Sequence, residues 1–109
     1  MTIQINTDKN LSVHETFRAQ LDNLLTEELE RFSEHITRLE IHLSDENGSK
    51  KGQDDKRCLL EARLEGKQPI AVTDLADTYE NAVDGAIKKL KSSLDKIVGR
   101  SRNHNNQGD

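Results

Sequence analysis

The densest chemistry in the chain is cationic. Within residues 88–102, Lys88, Lys89, Lys91, Lys96, Arg100 and Arg102 stand against one acid, Asp95. Cations at that density have two uses. They neutralise the phosphates of a polyanion and release its counterions, or they answer the macrodipole at a helix C-terminus. On a helix turning about 100° per residue from Tyr79, Lys89, Lys96 and Arg100 fall near 260–300°, on one flank of an apolar stripe. Gly85, Ser92 and Ser93 share that flank, and their small or polar side chains leave room for a nucleic-acid backbone. Lys88 and Lys91 project elsewhere. Charge alone leaves both uses open.

The chain as a whole is anionic, with 109 residues and a formal net charge of -4. The halves differ: residues 1–55 hold 6 Lys+Arg and 12 Asp+Glu, whereas residues 56–109 hold 10 and 8. Fields are screened beyond about 8 Å at physiological salt, so local density decides, and the total does not exclude a polyanion partner.

Other chemistry is sparse. None of His14, His35, His42 and His104 stands at i, i+4 with another, and Cys58 has no C-x-x-C partner, so neither a metal site nor a cofactor is expected. His42 reads as a surface residue, and Cys58, in an apolar strand, as a small core residue rather than a nucleophile. Gly48-Ser49-Lys50-Lys51-Gly52 lacks the order of a phosphate loop and does not lead from a strand into a helix. Acids are plentiful, but no pair stands in an apolar setting that would separate their pKa values. The expectation is a binding protein, not an enzyme.

One cysteine rules out an intramolecular disulfide framework and fits a reducing compartment. No apolar run nears the roughly 18–20 residues of a membrane span. Residues 2–6 alternate rather than forming a secretory signal. A cytoplasmic protein without membrane or small-molecule partners is expected.

The elements that carry the cations follow from periodicity. Residues 1–6 alternate as a strand. Ser12-Val13-His14-Glu15 has the capping-box form that starts a helix. Val13, Phe17, Leu21, Leu24, Leu25 and Phe32 give that helix an apolar face. Glu28 falls near the middle of that face, so the last turn is expected to shift register or leave the core, with the helix boundary near residues 31–34. Residues 37–44 alternate as a second strand, 45–56 form a loop around Asn47-Gly48, 57–64 a third strand and 69–73 a fourth. Tyr79, Ala82, Val83, Ala86, Ile87, Leu90, Leu94, Ile97 and Val98 then mark a second helix, capped by Asp74 or Asp77 and ended by Gly99. The order β-α-β-β-β-α predicts an α+β two-layer sandwich: a four-stranded sheet with both helices on one face. The first strand should pair parallel with the second through the helical crossover, and the rest antiparallel. Residues 1–100 form one domain, and 101–109 (S-R-N-H-N-N-Q-G-D) a disordered polar tail.

Residues 77–90 (D-T-Y-E-N-A-V-D-G-A-I-K-K-L), continued by Leu94 and Lys96, resemble the opening of the last helix in the bacterial hibernation promoting factor and ribosome-associated inhibitor A family. Residues 12–18 (S-V-H-E-T-F-R) are similar to the start of that family's first helix, and the resemblance covers about residues 2–98. It implies a single ribosome-binding-like domain that lodges in the mRNA and tRNA channel of the small ribosomal subunit. There it would contact 16S rRNA and inhibit translation or promote hibernation under stress. Longer members carry a further C-terminal domain, and the expectation for a chain of this length is that it lacks one. Lys89 and Lys96 match family positions and are the first candidates for rRNA contact. Arg18, Arg100, Lys88 and Lys91 follow.

The first helix departs from the family. Asp22, Glu27, Glu28 and Glu30 stand where lysines are usual, and Ser92 stands where a basic residue is common. Acids repel phosphate, so the RNA footprint should be narrow. The alternative is a protein–protein regulatory module on the same scaffold, using its acidic first helix and lacking RNA affinity.

Overall fold

A computed structural model of the chain describes residues 1–7, 15–45 and 55–105, with residues 99–105 described by backbone alone. Period-two alternation gives each strand one apolar face. The strands are β1 (Thr2–Thr7), β2 (Ile36–Asp45), β3 (Lys56–Leu64) and β4 (Ile70–Ala76), and the sheet order is β1-β2-β3-β4. β1 runs parallel to β2, with Ile3 opposite Leu39 and Ile5 opposite Ile41. β2–β3 and β3–β4 are antiparallel, with Ile41 opposite Leu60 and Leu60 opposite Val72. This register stacks every inward aliphatic side chain on one face, and both helices pack there in a single core cluster. The expected α+β sandwich is the observed one.

Three local features depart from expectation. The first helix, α1, spans Glu15–Glu28, and its expected cap at Ser12, with Val13 and His14, lies outside the described residues. Leu21 and Leu25 are buried, but Leu24 is 37% exposed, off the core face where it was expected. Leu29 is completely buried instead. The α-helix stops at Glu28 and a 3-10 turn over Glu30–Phe32 follows, which rotates Leu29 and Phe32 inward and lets Glu28 face solvent.

The fourth strand also runs further than residues 69–73, because Leu75 and Ala76 still find register partners in Arg57 and Lys56. Between β3 and β4 the chain turns at Gly66, whose φ of 72° is the left-handed conformation that favours glycine.

The second helix, α2 (Tyr79–Asn105), is capped by neither Asp74 nor Asp77. Thr78 Oγ1 accepts from the Asn81 amide at 3.0 Å, the geometry of a threonine N-cap. Asp77 instead accepts from the Asn81 side chain at 2.9 Å. The backbone stays helical through Gly99, expected as the end, and through residues 101–105 of the expected tail. A glycine costs an established helix only about 1 kcal/mol relative to alanine and no proline follows, so propagation continues. Residues 106–109, like the Asn47-Gly48 loop, lie outside the described residues.

Candidate nucleic-acid interface

Ala82, Val83, Ala86, Ile87, Leu90 and Leu94 bury one side of α2 almost completely. At roughly 1.5–3 kcal/mol for each large aliphatic side chain removed from water, this face fixes the rotation of the helix and hence where its lysines emerge. The structure then engages three of those lysines with carboxylates. Lys88 Nζ lies 3.2 Å from Asp84, one turn earlier on the same helix. Lys91 Nζ donates to Glu28 Oε1 at 2.8 Å, across to the end of α1. Lys89 Nζ lies 3.0 Å from Asp74 Oδ1 and donates to the Thr73 carbonyl at 2.7 Å, both on β4.

Gly85 makes the Lys89 contact possible. A Cβ at Gly85 would overlap the Asp74 carboxylate, so the space expected to admit a nucleic-acid backbone is filled by the chain itself. Asp74, expected as a cap, is therefore a strand residue that clasps helix to sheet.

The acid within the basic stretch is also engaged. Asp95 takes two bonds from Arg31, at 2.9 and 3.1 Å, and the Arg31 guanidinium rests 4.4 Å from the Phe32 ring centroid. Thus two ion pairs of opposite polarity, Glu28–Lys91 and Arg31–Asp95, join the end of α1 and the 3-10 turn after it to α2. Beside them lies an open depression of about 700 Å³ lined by Glu27, Glu28, Glu30, Glu34, Arg31 and Lys91, together with Ser33.

Two candidate cations have no ion-pair partner among the described residues. Lys96 is exposed on the expected flank of α2, and Arg18 is half-buried on α1. Arg100 lies in the part of α2 described by backbone alone. The described cations therefore do not make a continuous unpaired strip along α2. However, exposed pairs of this kind are worth only about 0–1 kcal/mol, so phosphate oxygens can compete for these lysines.

Other charged groups serve the scaffold. Lys56 Nζ binds Asp45 at 3.1 Å and Asp55 at 3.2 Å and sits 5.8 Å from the Tyr79 ring centroid. The hydrogen bond it donates to Asp45 holds the Lys56 ammonium above its ordinary pKa. On the outer sheet face, the Arg38 hydrogen bond at 2.9 Å keeps Glu40 below the usual carboxylate range. Cys58 is buried in the core, and desolvation, followed by the Asp74 charge, pushes its thiol up to about 12. Among the described residues there is no group of three metal-ligating side chains, and no helix is long and apolar enough to cross a membrane.

A mixed four-stranded sheet backed by two helices defines a small α+β domain, and the charged groups described lie largely at its surface. Residues 3–102 match the sigma 54 modulation protein / S30EA ribosomal protein family, and the chain belongs to that family. This agrees with the resemblance read from residues 77–90. The N-terminal domain of Thermus thermophilus Protein Y superposes with a TM-score of 0.70 at 19% identity, covering 89% of this chain and 99% of that one. A ribosomal subunit interface protein from Coxiella burnetii gives the same TM-score and identity, covering 91% and 99%. At these identities the likeness is one of fold. The chain is also 33% identical over 76 residues to Protein FAM136A of Xenopus tropicalis and of Xenopus laevis, covering 70% of this chain. It spans about half the length, 52%, of those curated relatives.

Proposed function

We propose that this chain associates with the ribosome, binds the small subunit at 16S rRNA in the mRNA and tRNA channel, and inhibits translation by occupancy under stress. The observation that carries this reading is the family match across residues 3–102. The fold shared with a ribosomal subunit interface protein supports it. Lys96, without an ion-pair partner among the described residues, supplies a cation on the expected flank, with Arg18 and Arg100 as further contacts. Lys88, Lys89 and Lys91 contribute only by exchanging carboxylate for phosphate, so the interface is weaker and narrower than a row of free lysines would make it. No bond is made or broken in this activity. In stationary-phase lysate the protein should co-sediment with 30S and 70S particles at low salt and be released as salt rises. Absence from both fractions at every salt concentration contradicts the proposal.

The engaged lysines favour a second reading. With Lys88, Lys89 and Lys91 neutralised, the depression bearing Glu27, Glu28, Glu30 and Glu34 presents an acidic surface to a basic protein segment. In that case charge reversal at Lys96 leaves partner capture unchanged, while neutralising Glu27, Glu30 and Glu34 abolishes it.

A further inference from the structure

The sheet has two outer edges, and they are built differently. At β4, Pro69 immediately precedes the strand, Asp74 places a charge within it, and Lys89 occupies the Thr73 carbonyl. Proline, lysine and in-strand charge are devices that stop an edge from pairing with another chain. β1 carries none of them. Thr2-Ile3-Gln4-Ile5-Asn6-Thr7 is uncharged, contains no proline or glycine, and pairs with β2 alone among the described residues.

The core is thinly covered at β1, as it is at β4, where Ile70 and Val72 are likewise half-buried. Ile3 and Ile5 are half-buried, whereas their register partners Leu39 and Ile41 are completely buried. Between β1 and α1 runs an open groove of about 490 Å³, bounded on the helix side by Glu15, Arg18, Ala19, Asp22 and Asn23. Arg18 and Asp22 stand one turn apart, and neither has an ion-pair partner among the described residues. Reversing α1 about Gln20 superposes position 18 on position 22. The stripe is therefore charge-complementary to an antiparallel copy of itself.

A two-fold axis perpendicular to the sheet beside β1 brings two β1 strands together antiparallel and two α1 helices together antiparallel on the same side. The interface is then isologous, with each contact made twice. We propose that the β1–α1 edge is a self-association surface for a second copy of this chain. The two sheets join into one, and Arg18 of each α1 meets Asp22 of the other copy. The charge pattern selects this occupant, because an unrelated strand could use the open edge but would not be matched by α1. The inference is independent of ribosome binding. Where both hold, the dimer covers Arg18 and competes with any RNA contact made there.

Sedimentation of the full chain from micromolar to millimolar concentration at low salt tests the proposal. The mass should rise from 12.3 kDa toward twice that value. Arg18→Asp and Asp22→Arg should each weaken association by roughly tenfold or more through like-charge contact, and the double variant R18D/D22R should restore it. Ile3→Lys, which puts a charge on the edge, should also give monomer. A monomer throughout the range overturns the proposal. So does a dimer indifferent to Arg18→Asp, or a double variant that stays as weak as the single ones.

Discussion

Lys89 Nζ on α2 lies 3.0 Å from Asp74 Oδ1 on β4, so a helix cation expected to meet RNA is held at the sheet edge. The Lys89 side chain is still 54% exposed, which makes the pair a weak competitor for a phosphate. Asp74→Asn should therefore loosen Lys89, which keeps only its bond to the Thr73 carbonyl among those described, and remove a repelling charge. Ribosome affinity at low salt should rise about two- to fivefold, the equivalent of at most about 1 kcal/mol. The salt dependence should steepen by up to about one unit. Filter binding to purified small subunits across a salt series measures both, and an unchanged or lower affinity contradicts the assignment of Lys89.

Gly85 and Asp74 share one space, so the effect of filling it depends on which residue is present. Gly85→Ala improves helix propensity by about 1 kcal/mol but forces the Asp74 carboxylate away from Lys89. In an Asp74→Ala background, Gly85→Ala should stabilise the chain by about 0.5–1 kcal/mol. In the unaltered chain the gain should be smaller or reversed. Urea unfolding of the four variants of this cycle gives the coupling directly, and identical effects in both backgrounds would rule out the shared space.

The break in α1 predicts unequal consequences for two leucines. Leu29 is completely buried after the helix ends, and Leu29→Ala should cost about 2–5 kcal/mol. Leu24 is 37% exposed, and Leu24→Ala should cost less than about 1 kcal/mol. Chemical denaturation of the two variants checks the order, and equal losses would return Leu24 to the core face.

These residues also show how far the sequence could be read. Strand alternation in Ile3/Ile5, Leu39/Ile41/Leu43 and Cys58/Leu60/Ala62/Leu64 makes the sheet legible, because the observed register turns all of these alternating sets to one face. The unbroken stripe of α2 makes that helix legible for the same reason. Glu28 signalled a change of register, but not which neighbouring leucine would go inward, since that depends on the 3-10 turn. The candidate site was legible as a list of cations. Its long-range pairings were not: Lys88–Asp84 is a local pair one turn apart, but Asp74, Glu28 and Arg31 reach α2 across the fold, and no local spacing links them to Lys89, Lys91 and Asp95. The cap falls on Thr78 rather than on either aspartate, because its hydroxyl stands three residues before the Asn81 amide that it accepts from.

Cys58 should behave as a core side chain. With its thiol pushed up to about 12 by burial, a disulfide reagent at pH 8 should leave the folded chain unmodified and react only across the urea transition. Because the folded value lies above the ordinary 9.0, the neutral thiol favours the fold. Its contribution is complete below pH 9.0 and is lost as pH climbs toward 12. Rapid labelling of native protein contradicts the buried placement, as does alkaline stability that does not respond to Cys58→Ala in this window.

Binding to purified small ribosomal subunits as a function of salt, for the unaltered chain and Lys96→Glu, tests the central claim most directly. The account predicts saturable binding whose logarithmic affinity falls linearly with the logarithm of salt. Lys96→Glu should weaken it at low salt and flatten the slope by about one unit. Absence of binding at low salt, or binding that neither salt nor Lys96→Glu alters, contradicts a ribosome-associated role built on this face of α2.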